Sequence, residues 1–132
     1  MYFVGVDIIE IERIEAAMAR WRERFLHRIY TDGELHICRN RAPALALRFA
    51  AKEAVMKALG TGTKGVGWRD IEVLSNSDGK PLVYLHGRAQ KKAADLGLGE
   101  LAISLSHSRN YAIASVIGGS IEDFNHRPDE GA

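Results

Sequence analysis

The sequence has little cysteine, no long apolar run and almost no net charge. Cys38 is the single cysteine among 132 residues, which excludes an internal disulfide and a multi-cysteine zinc cluster. No apolar run approaches the roughly 20 residues of a membrane-spanning helix, and residues 1–9 lack the basic start of a secretory signal. The net charge of +1 argues against a generally basic nucleic-acid-binding protein. These absences fit a reducing cytosol, and we expect a cytoplasmic location.

The composition that is present fits one domain. The chain is 46% hydrophobic, and at this length a domain buries roughly two-thirds of its unfolded surface. There are no internal repeats. We predict a single domain over residues 1–118, followed by a polar C-terminal tail over residues 119–132 that frays.

The most informative segment is RFAAKEAVMKALGTG at residues 48–62, which predicts an alanine-rich helix. Glu53 and Lys57 lie one turn apart, so their side chains project from the same face. A carboxylate on partly desolvated surface is costly unless it is paired or bound to a metal. An exposed salt bridge is the ordinary explanation of such a pair. A catalytic or metal-binding pair is the alternative.

The N-terminal segment YFVGVDII predicts a strand with Phe3, Gly5, Asp7 and Ile9 on one face. Aspartate is depleted in strands, and capping of the following helix is the ordinary reason for Asp7. Gly5 leaves space beside Asp7, and we expect a cation to use that space. Mg²⁺ binds oxygen ligands, usually one or two carboxylates with water and substrate phosphates. Asp7 and Glu53 would therefore suffice as its protein ligands.

The segment ISLSHSRNYAIASVI, residues 103–117, predicts two strands joined by a turn at residues 107–110. Around this turn lie four hydrogen-bond donors: Ser106, His107, Ser108 and Arg109. Together they could hold a phosphate group, although a serine-rich turn is the commoner explanation of the segment taken alone.

The chain after Glu10 predicts a first long helix with an apolar stripe and a basic face. We expect the stripe to be buried, and it consists of Ile11, Ile14, Met18, Trp21 and Phe25. The basic face carries Arg13, Arg20 and Arg24. A solvated surface is the ordinary explanation of such a face.

The remaining segments predict a short helix over residues 32–39, capped by Thr31 or Asp32, and a break over residues 40–43. We expect Gly60 to end the alanine-rich helix, with a mobile loop over residues 62–67 bordering the site. A hairpin over residues 70–74 and 82–86 and a helix over residues 88–96 follow.

Four segments, in their order and spacing, resemble the holo-(acyl-carrier-protein) synthases, the short 4′-phosphopantetheinyl transferases. They are GVDIIEIERI, RFAAKEAVMKALGTG, SNSDGKP and SLSHSRNYAIASV. The resemblance covers the chain to about Gly118. It implies an α+β fold, a single small domain of the 4′-phosphopantetheinyl transferase type, mainly antiparallel sheet with a long alanine-rich helix. The implied reaction is Mg²⁺-dependent transfer of the 4′-phosphopantetheine arm of coenzyme A to a serine of acyl carrier protein, releasing 3′,5′-ADP, in fatty acid biosynthesis.

The resemblance also implies roles for individual residues. Asp7, Glu53 and Lys57 would be catalytic, and Asp7 and Glu53 would hold Mg²⁺. The expected coenzyme A contacts are Lys57, Arg48, Gly79, Lys80, Pro81, Ser106, His107 and Ser108. Docking of the carrier protein is expected at Arg13, Arg20 and Arg24. The general base stays open between Asp7 and Glu53, acting directly or through metal-bound water, with His107 less favoured.

The resemblance further implies a homotrimer with a site at each subunit boundary. The strongly apolar terminal strands fit this expectation, because a face or edge of the sheet needs covering. A monomer is the alternative, since the helices after Glu10 and Arg88 could cover the sheet.

Two other functions are compatible with the residues. One is another Mg²⁺-dependent phosphoryl-transfer enzyme or nucleotide hydrolase that uses the same carboxylates. The other is a non-enzymatic module that binds an acidic partner through the basic helix face. Asp7 inside an apolar strand disfavours the module, because simple binding gives that residue no purpose.

Overall fold

The first strand of the fold pairs with the last strand of the described residues. The computed structural model describes residues 1–120. Its elements are β1 (Tyr2–Glu10), α1 (Ile11–Trp21), α2 (Glu23–Ile29), α3 (Asp32–Cys38), α4 (Ala42–Leu59), α5 (Gly62–Gly65), a 3-10 turn (Trp68–Asp70), β2 (Ile71–Ser75), β3 (Pro81–Leu85), α6 (Gly87–Asp95), β4 (Leu98–His107) and β5 (Tyr111–Ser120).

Antiparallel pairing organises the strands into two sheets. The larger sheet has the order β1-β5-β4, and the smaller one is the β2-β3 hairpin. Ala114 of the central strand pairs with Asp7 on one side and with Leu105 on the other. The predicted combination of antiparallel sheet and a long alanine-rich helix is therefore present.

Helix α4 packs across the inner face of the larger sheet, and Gly5 determines how closely. A Cβ atom at Gly5 would lie 1.9 Å from the carbonyl oxygen of Ala54 and 3.1 Å from the amide nitrogen of Ala58. The prediction that a cation uses the space at Gly5 is wrong, because the backbone of α4 fills it. The close contact instead brings the segment around Glu53 against β1.

The predicted first long helix is in fact two helices. Arg22 separates α1 from α2 and has a φ of 47°, a region where a non-glycine residue is strained by roughly 1–3 kcal/mol. Beyond this break α2 buries Leu26 and Ile29. Trp21 is 47% exposed, so its expected place in the buried stripe is wrong. The break changes the direction of the chain, so that α1 and α2 each bury an apolar face of their own.

The other helix boundaries follow local chemistry. Thr31 caps α3 through a capping box with Glu34. Helix α4 begins at Ala42, before the predicted end of the break, because Pro43 is tolerated in a first turn. Gly60 ends α4 with a φ of 73°. The predicted loop after it contains the short helical turn Gly62–Gly65.

A buried ion pair joins α3 to α4. Lys52 Nζ lies 2.7 Å from Glu34 Oε1, and both side chains are inaccessible to solvent. Lys52 also donates to the carbonyl oxygens of Trp68 and Ile71, while the second carboxylate oxygen of Glu34 accepts from the amide of Val73 at 2.8 Å. Every polar atom of the pair is thereby satisfied, which is the condition for burying charge.

One face of the larger sheet is left uncovered by the chain's own helices within the described residues. Alternation along β1 and β5 places seven large apolar side chains on it. They are Tyr2, Val4, Val6, Ile8, Tyr111, Ile113 and Ile117. Val4 is 64% exposed, and so large a contiguous apolar patch is characteristic of a contact surface.

Strand β5 continues to Ser120, two residues past the predicted domain boundary. The rest of the predicted tail lies outside the described residues. In residues 1–120 no helix combines the length and apolarity needed to span a bilayer.

Candidate active site

Asp7 and Lys57 meet where β1 passes under α4. Lys57 Nζ donates to Asp7 Oδ1 at 2.9 Å and to the carbonyl oxygen of Val6 at 3.0 Å. The side chain of Asp7 is 13% exposed and that of Lys57 is 56% exposed. The carboxylate therefore lies at the floor of the site and the ammonium group at its rim.

Glu53 completes this group. Burial raises the pKa of Glu53, and so do the charge of Asp7 and a hydrogen bond with it, while Lys57 and Arg13 act in the opposite direction. Two carboxylates thus lie side by side with two cations near them. Residues four apart on α4 point the same way, so the spacing of Glu53 and Lys57 and the close β1–α4 contact together account for the arrangement.

Two adjacent carboxylates fit a hard divalent cation. In residues 1–120 no cluster of three or more histidine, cysteine, aspartate or glutamate side chains forms a complete metal site. Mg²⁺ does not require one, since it commonly uses one or two carboxylates and completes its octahedron with water and substrate phosphates. Burial and the adjacent charge of Asp7, which raise the pKa of Glu53, both disfavour its charged form, and a bound cation would offset that cost.

The β4–β5 turn lies apart from this group within one chain. His107 pairs with Ala112, which in turn pairs with Ile9, so the histidine is two strand spacings, about 10 Å, from β1. Its Nδ1 lies 3.3 Å from the carbonyl oxygen of Ser108, and Ser108 Oγ accepts from the amide of Tyr111. Ser106 lies on the opposite face of the strand from His107 by alternation and is exposed.

The β2–β3 turn forms a third location. Gly79 has a φ of 81°, and Asn76 Oδ1 accepts from the amides of Asp78 and Lys80 at 2.9 Å. Lys80 and Pro81 border an open groove of about 940 Å³ between β3 and β4. The predicted coenzyme A contacts are therefore spread over separate parts of the chain.

Arg48, a predicted coenzyme A contact, lies buried between α4 and β2. It is 6% exposed, and its guanidinium donates to the carbonyl oxygens of Val73 and Ala44 and to Ser75 Oγ. These contacts tie α4 to β2, so Arg48 has a structural part in the fold, and its coenzyme A contact stays a prediction. The pattern of apolar and polar residues along α4 did not indicate that β2 would cover Arg48.

The predicted docking arginines are all exposed but do not share one helix. Arg13 lies on α1 near enough to Glu53 to oppose part of the rise in its pKa. The sequence did not indicate this proximity, because no local pattern reports how α1 packs on α4. Arg20 lies in the last turn of α1, with its guanidinium 4.7 Å from the ring centroid of Trp21. Arg24 lies on α2, beyond the break.

Comparison with known proteins identifies the family of the chain. A family model described as the 4′-phosphopantetheinyl transferase superfamily matches residues 3–116. A holo-(acyl-carrier-protein) synthase of Herpetosiphon aurantiacus is 50% identical over 125 residues, covering 89% of this chain and 98% of the relative. One of Dehalococcoides mccartyi is 54% identical over 117 residues, with the same coverage.

Solved structures give the same result. The Helicobacter pylori holo-(acyl-carrier-protein) synthase in complex with coenzyme A superposes with a TM-score of 0.81 at 32% identity, covering 88% of this chain and 99% of that one. The Neisseria meningitidis enzyme gives a TM-score of 0.83 at 31% identity, with coverages of 89% and 98%. The chain belongs to the 4′-phosphopantetheinyl transferase superfamily.

Proposed function

We propose that the chain transfers the 4′-phosphopantetheine arm of coenzyme A to a serine of an acyl carrier protein and releases 3′,5′-ADP. The observation that carries this proposal is the contact of Asp7, Glu53 and Lys57 in a member of this superfamily. The relatives named above are holo-(acyl-carrier-protein) synthases, and one of them was solved with coenzyme A. The proposal includes a role of this reaction in fatty acid biosynthesis.

The reaction forms one P–O bond and breaks another. The serine oxygen of the carrier protein attacks the phosphorus that bears the pantetheine arm, and the pyrophosphate bond breaks with departure of 3′,5′-ADP. Such a transfer is catalysed mainly by positioning and by stabilising charge on the phosphate oxygens. Asp7 and Glu53 would hold Mg²⁺, which when bound supplies positive charge to the pyrophosphate.

The chain's own residues have distinct parts in this step. Lys57, exposed at the rim, exchanges its contact with Asp7 for a phosphate oxygen of coenzyme A and neutralises it. The serine proton goes to a carboxylate oxygen of Asp7 or Glu53, directly or through a water molecule. Because the side chain of Asp7 is little exposed, few water molecules can reach the phosphorus and compete with the serine hydroxyl of the carrier protein as the attacking group.

We extend the proposal to a homotrimer whose sites lie between subunits. The apolar sheet face of β1 and β5 supports association, because a subunit alone would expose it to water. The distance between His107 and β1 within one chain supports a shared site. In this arrangement Ser106, His107 and Ser108 of one subunit bind coenzyme A phosphate beside Asp7 and Glu53 of the next, and Gly79, Lys80 and Pro81 border the nucleotide. A cytoplasmic location belongs to the proposal, since Cys38 is a buried free thiol.

The test is the mass of an apo acyl carrier protein after incubation with the chain, coenzyme A and Mg²⁺. We expect the phosphopantetheine mass to appear, and to disappear when a chelator removes Mg²⁺. Asp7→Ala and Glu53→Ala should each lower the rate by about 10²-fold or more, as loss of one preorganised electrostatic group does. Asp95→Asn, an exposed carboxylate change at the end of α6, is the matched control.

The same incubation distinguishes the proposed transferase from a nucleotide hydrolase that uses the same carboxylates. Release of 3′,5′-ADP without carrier protein would indicate a nucleotide hydrolase. Near-full activity of Asp7→Ala with an unchanged circular dichroism spectrum would refute the assigned role of the carboxylates.

A further inference from the structure

Helix α4 is open to solvent along a single row of side chains over its second half. Within residues 48–59 every residue is buried except Phe49, Glu53 and Lys57. Residues four apart share a helix face, with their Cβ atoms roughly 5–6 Å apart, so these three side chains form one line. The charged groups of the candidate site therefore continue, one turn towards the start of α4, into an aromatic ring.

The ring of Phe49 is stacked on a second aromatic side chain. Its centroid lies 4.8 Å from that of Trp68, and the two ring planes are inclined by 24°. The backbone at Trp68 is fixed, because Lys52 Nζ donates to its carbonyl oxygen at 3.0 Å. Both rings are only half-buried, although phenylalanine is among the residues most often fully buried. The Phe49–Trp68 pair thus forms a partly open apolar wall one helical turn from Glu53.

The proposed donor carries an apolar group that must come close to this wall. In coenzyme A the transferred arm is joined to its phosphorus through an oxygen and a CH2 group, and the next carbon bears two methyl groups. Because Asp7 and Glu53 must face the phosphorus during transfer, this dimethyl carbon comes close to the row whichever carrier protein is served. Lys57 attracts phosphate oxygens at one end of the row, which leaves the aromatic end for the uncharged arm.

We infer that the Phe49–Trp68 pair binds the pantetheine arm of coenzyme A beside the phosphorus and so positions the group that is transferred. The inference rests on the proposed function, whose site it extends. Small-molecule sites commonly combine an apolar, aromatic lining with a few polar groups that fix the orientation of the ligand. Here Glu53 and Lys57 are the polar groups, and the two rings are the lining.

Equilibrium binding without carrier protein provides the first test, because no transfer can then occur. 3′,5′-ADP has the nucleotide of coenzyme A but lacks the arm, and isothermal titration with Mg²⁺ present compares the two ligands. Phe49→Ala should raise Kd for coenzyme A by about 10-fold or more, as loss of an apolar contact in a pocket does. Kd for 3′,5′-ADP should not change. Leu47→Ala, a truncation at a partly buried position of α4 outside the row, should change neither.

Fluorescence of Trp68 provides a second test that leaves both rings of the pair in place. The chain contains two tryptophans, and Trp21→Phe makes Trp68 the only one. In this variant coenzyme A should change the emission of Trp68, since the arm covers the exposed part of the indole, and 3′,5′-ADP should not. Free pantetheine at the same concentration controls for quenching by a thiol in solution. If Phe49→Ala does not fold, this measurement decides alone.

Three outcomes would overturn the inference. An equal loss of affinity for both ligands in Phe49→Ala would show that the pair shapes the nucleotide site or the fold. Unchanged binding of coenzyme A with a raised KM for carrier protein would place the pair on the carrier-protein surface. Emission of Trp68 that responds equally to both ligands, or to neither, would show that the arm does not contact the ring.

The same measurements separate the inference from the proposed function. Transfer by the unmodified chain, with unchanged coenzyme A binding in Phe49→Ala, would overturn the arm site and leave the function standing. Arm-dependent binding in a chain that transfers nothing to a carrier protein would support the arm site and refute the function.

Discussion

Replacing Gly5 with alanine tests whether the contact between β1 and α4 builds the site. The new Cβ atom would lie 1.9 Å from the carbonyl oxygen of Ala54 and 2.8 Å from its carbonyl carbon. Ordinary Cβ contacts are not shorter than 3.0 Å, so strand and helix must separate by about 1 Å. Both partners are backbone atoms, and a rotamer change cannot relieve the clash.

Two effects follow from that separation. Overpacking of this kind lowers the free energy of unfolding by about 1–3 kcal/mol. Because Asp7 lies on β1 while Glu53 and Lys57 lie on α4, the same movement pulls the two halves of the site apart. A misplacement of about 1 Å can lower a rate by about 10²-fold. We therefore expect Gly5→Ala to lose more activity than its loss of stability explains.

The assay combines chemical denaturation with transfer of phosphopantetheine to carrier protein, measured at a temperature where the variant is folded. Gly97→Ala is the matched control. Its φ of 70° makes alanine strained, but nothing lies within 4 Å of the new Cβ. It should lose stability and keep kcat. Full activity and normal stability of Gly5→Ala would refute the argument that this close approach positions the carboxylates.

Three further predictions concern the buried network and the assembly. Lys52→Met should lower the free energy of unfolding by about 3–5 kcal/mol, because it leaves Glu34 charged and unpaired, and Lys52→Met combined with Glu34→Leu should recover much of it in denaturant titrations. Hydrogen bonds from Thr31 and His86 outweigh burial and lower the pKa of Glu72. The contribution of Glu72 to stability should therefore be present above the unfolded carboxylate pKa, about 4.3, and be lost as the pH falls through the lower folded pKa. Glu72→Gln should weaken this decrease of the free energy of unfolding at acid pH. An unchanged decrease would contradict the assignment. Mixed Asp7→Ala and His107→Ala chains should recover partial activity if the site is shared, and sedimentation equilibrium should show a trimer; a fully active monomer would end that proposal.

Local patterns in the sequence predicted the parts of the site that one strand and one helix define. Alternation along β1 placed Asp7 on the inner face, and the spacing of four placed Lys57 beside Glu53 on α4. Antiparallel pairing of the last two strands followed from their apolar runs and polar turn. Each of these features depends on residues that are close in the sequence, and hydrophobic periodicity reports on that local range.

Long-range placement could not be predicted in the same way. Gly5 indicates a close approach, but the sequence does not say whether an ion or a helix backbone makes it. Arg22 breaks a helix without glycine or proline, so the apolar period appeared to continue through Trp21. Arg48 is covered by β2, where it donates to the carbonyl oxygen of Val73, 25 residues later in the chain. Each difference arises from an element that contacts the residue from far along the chain.

The buried Glu34–Lys52 pair determines the rotation of α4 about its own axis. An alanine-rich helix has small and nearly uniform side chains, so apolar packing discriminates weakly between neighbouring rotations. A shift of one residue turns a helix by about 100°, which would carry Lys52 out of reach of Glu34 and bury an unpaired charge. The ion pair thus fixes the rotation of α4 about its own axis. Because Glu53 follows Lys52 directly, the rotation that points Lys52 inward also determines the direction in which the carboxylate of Glu53 points.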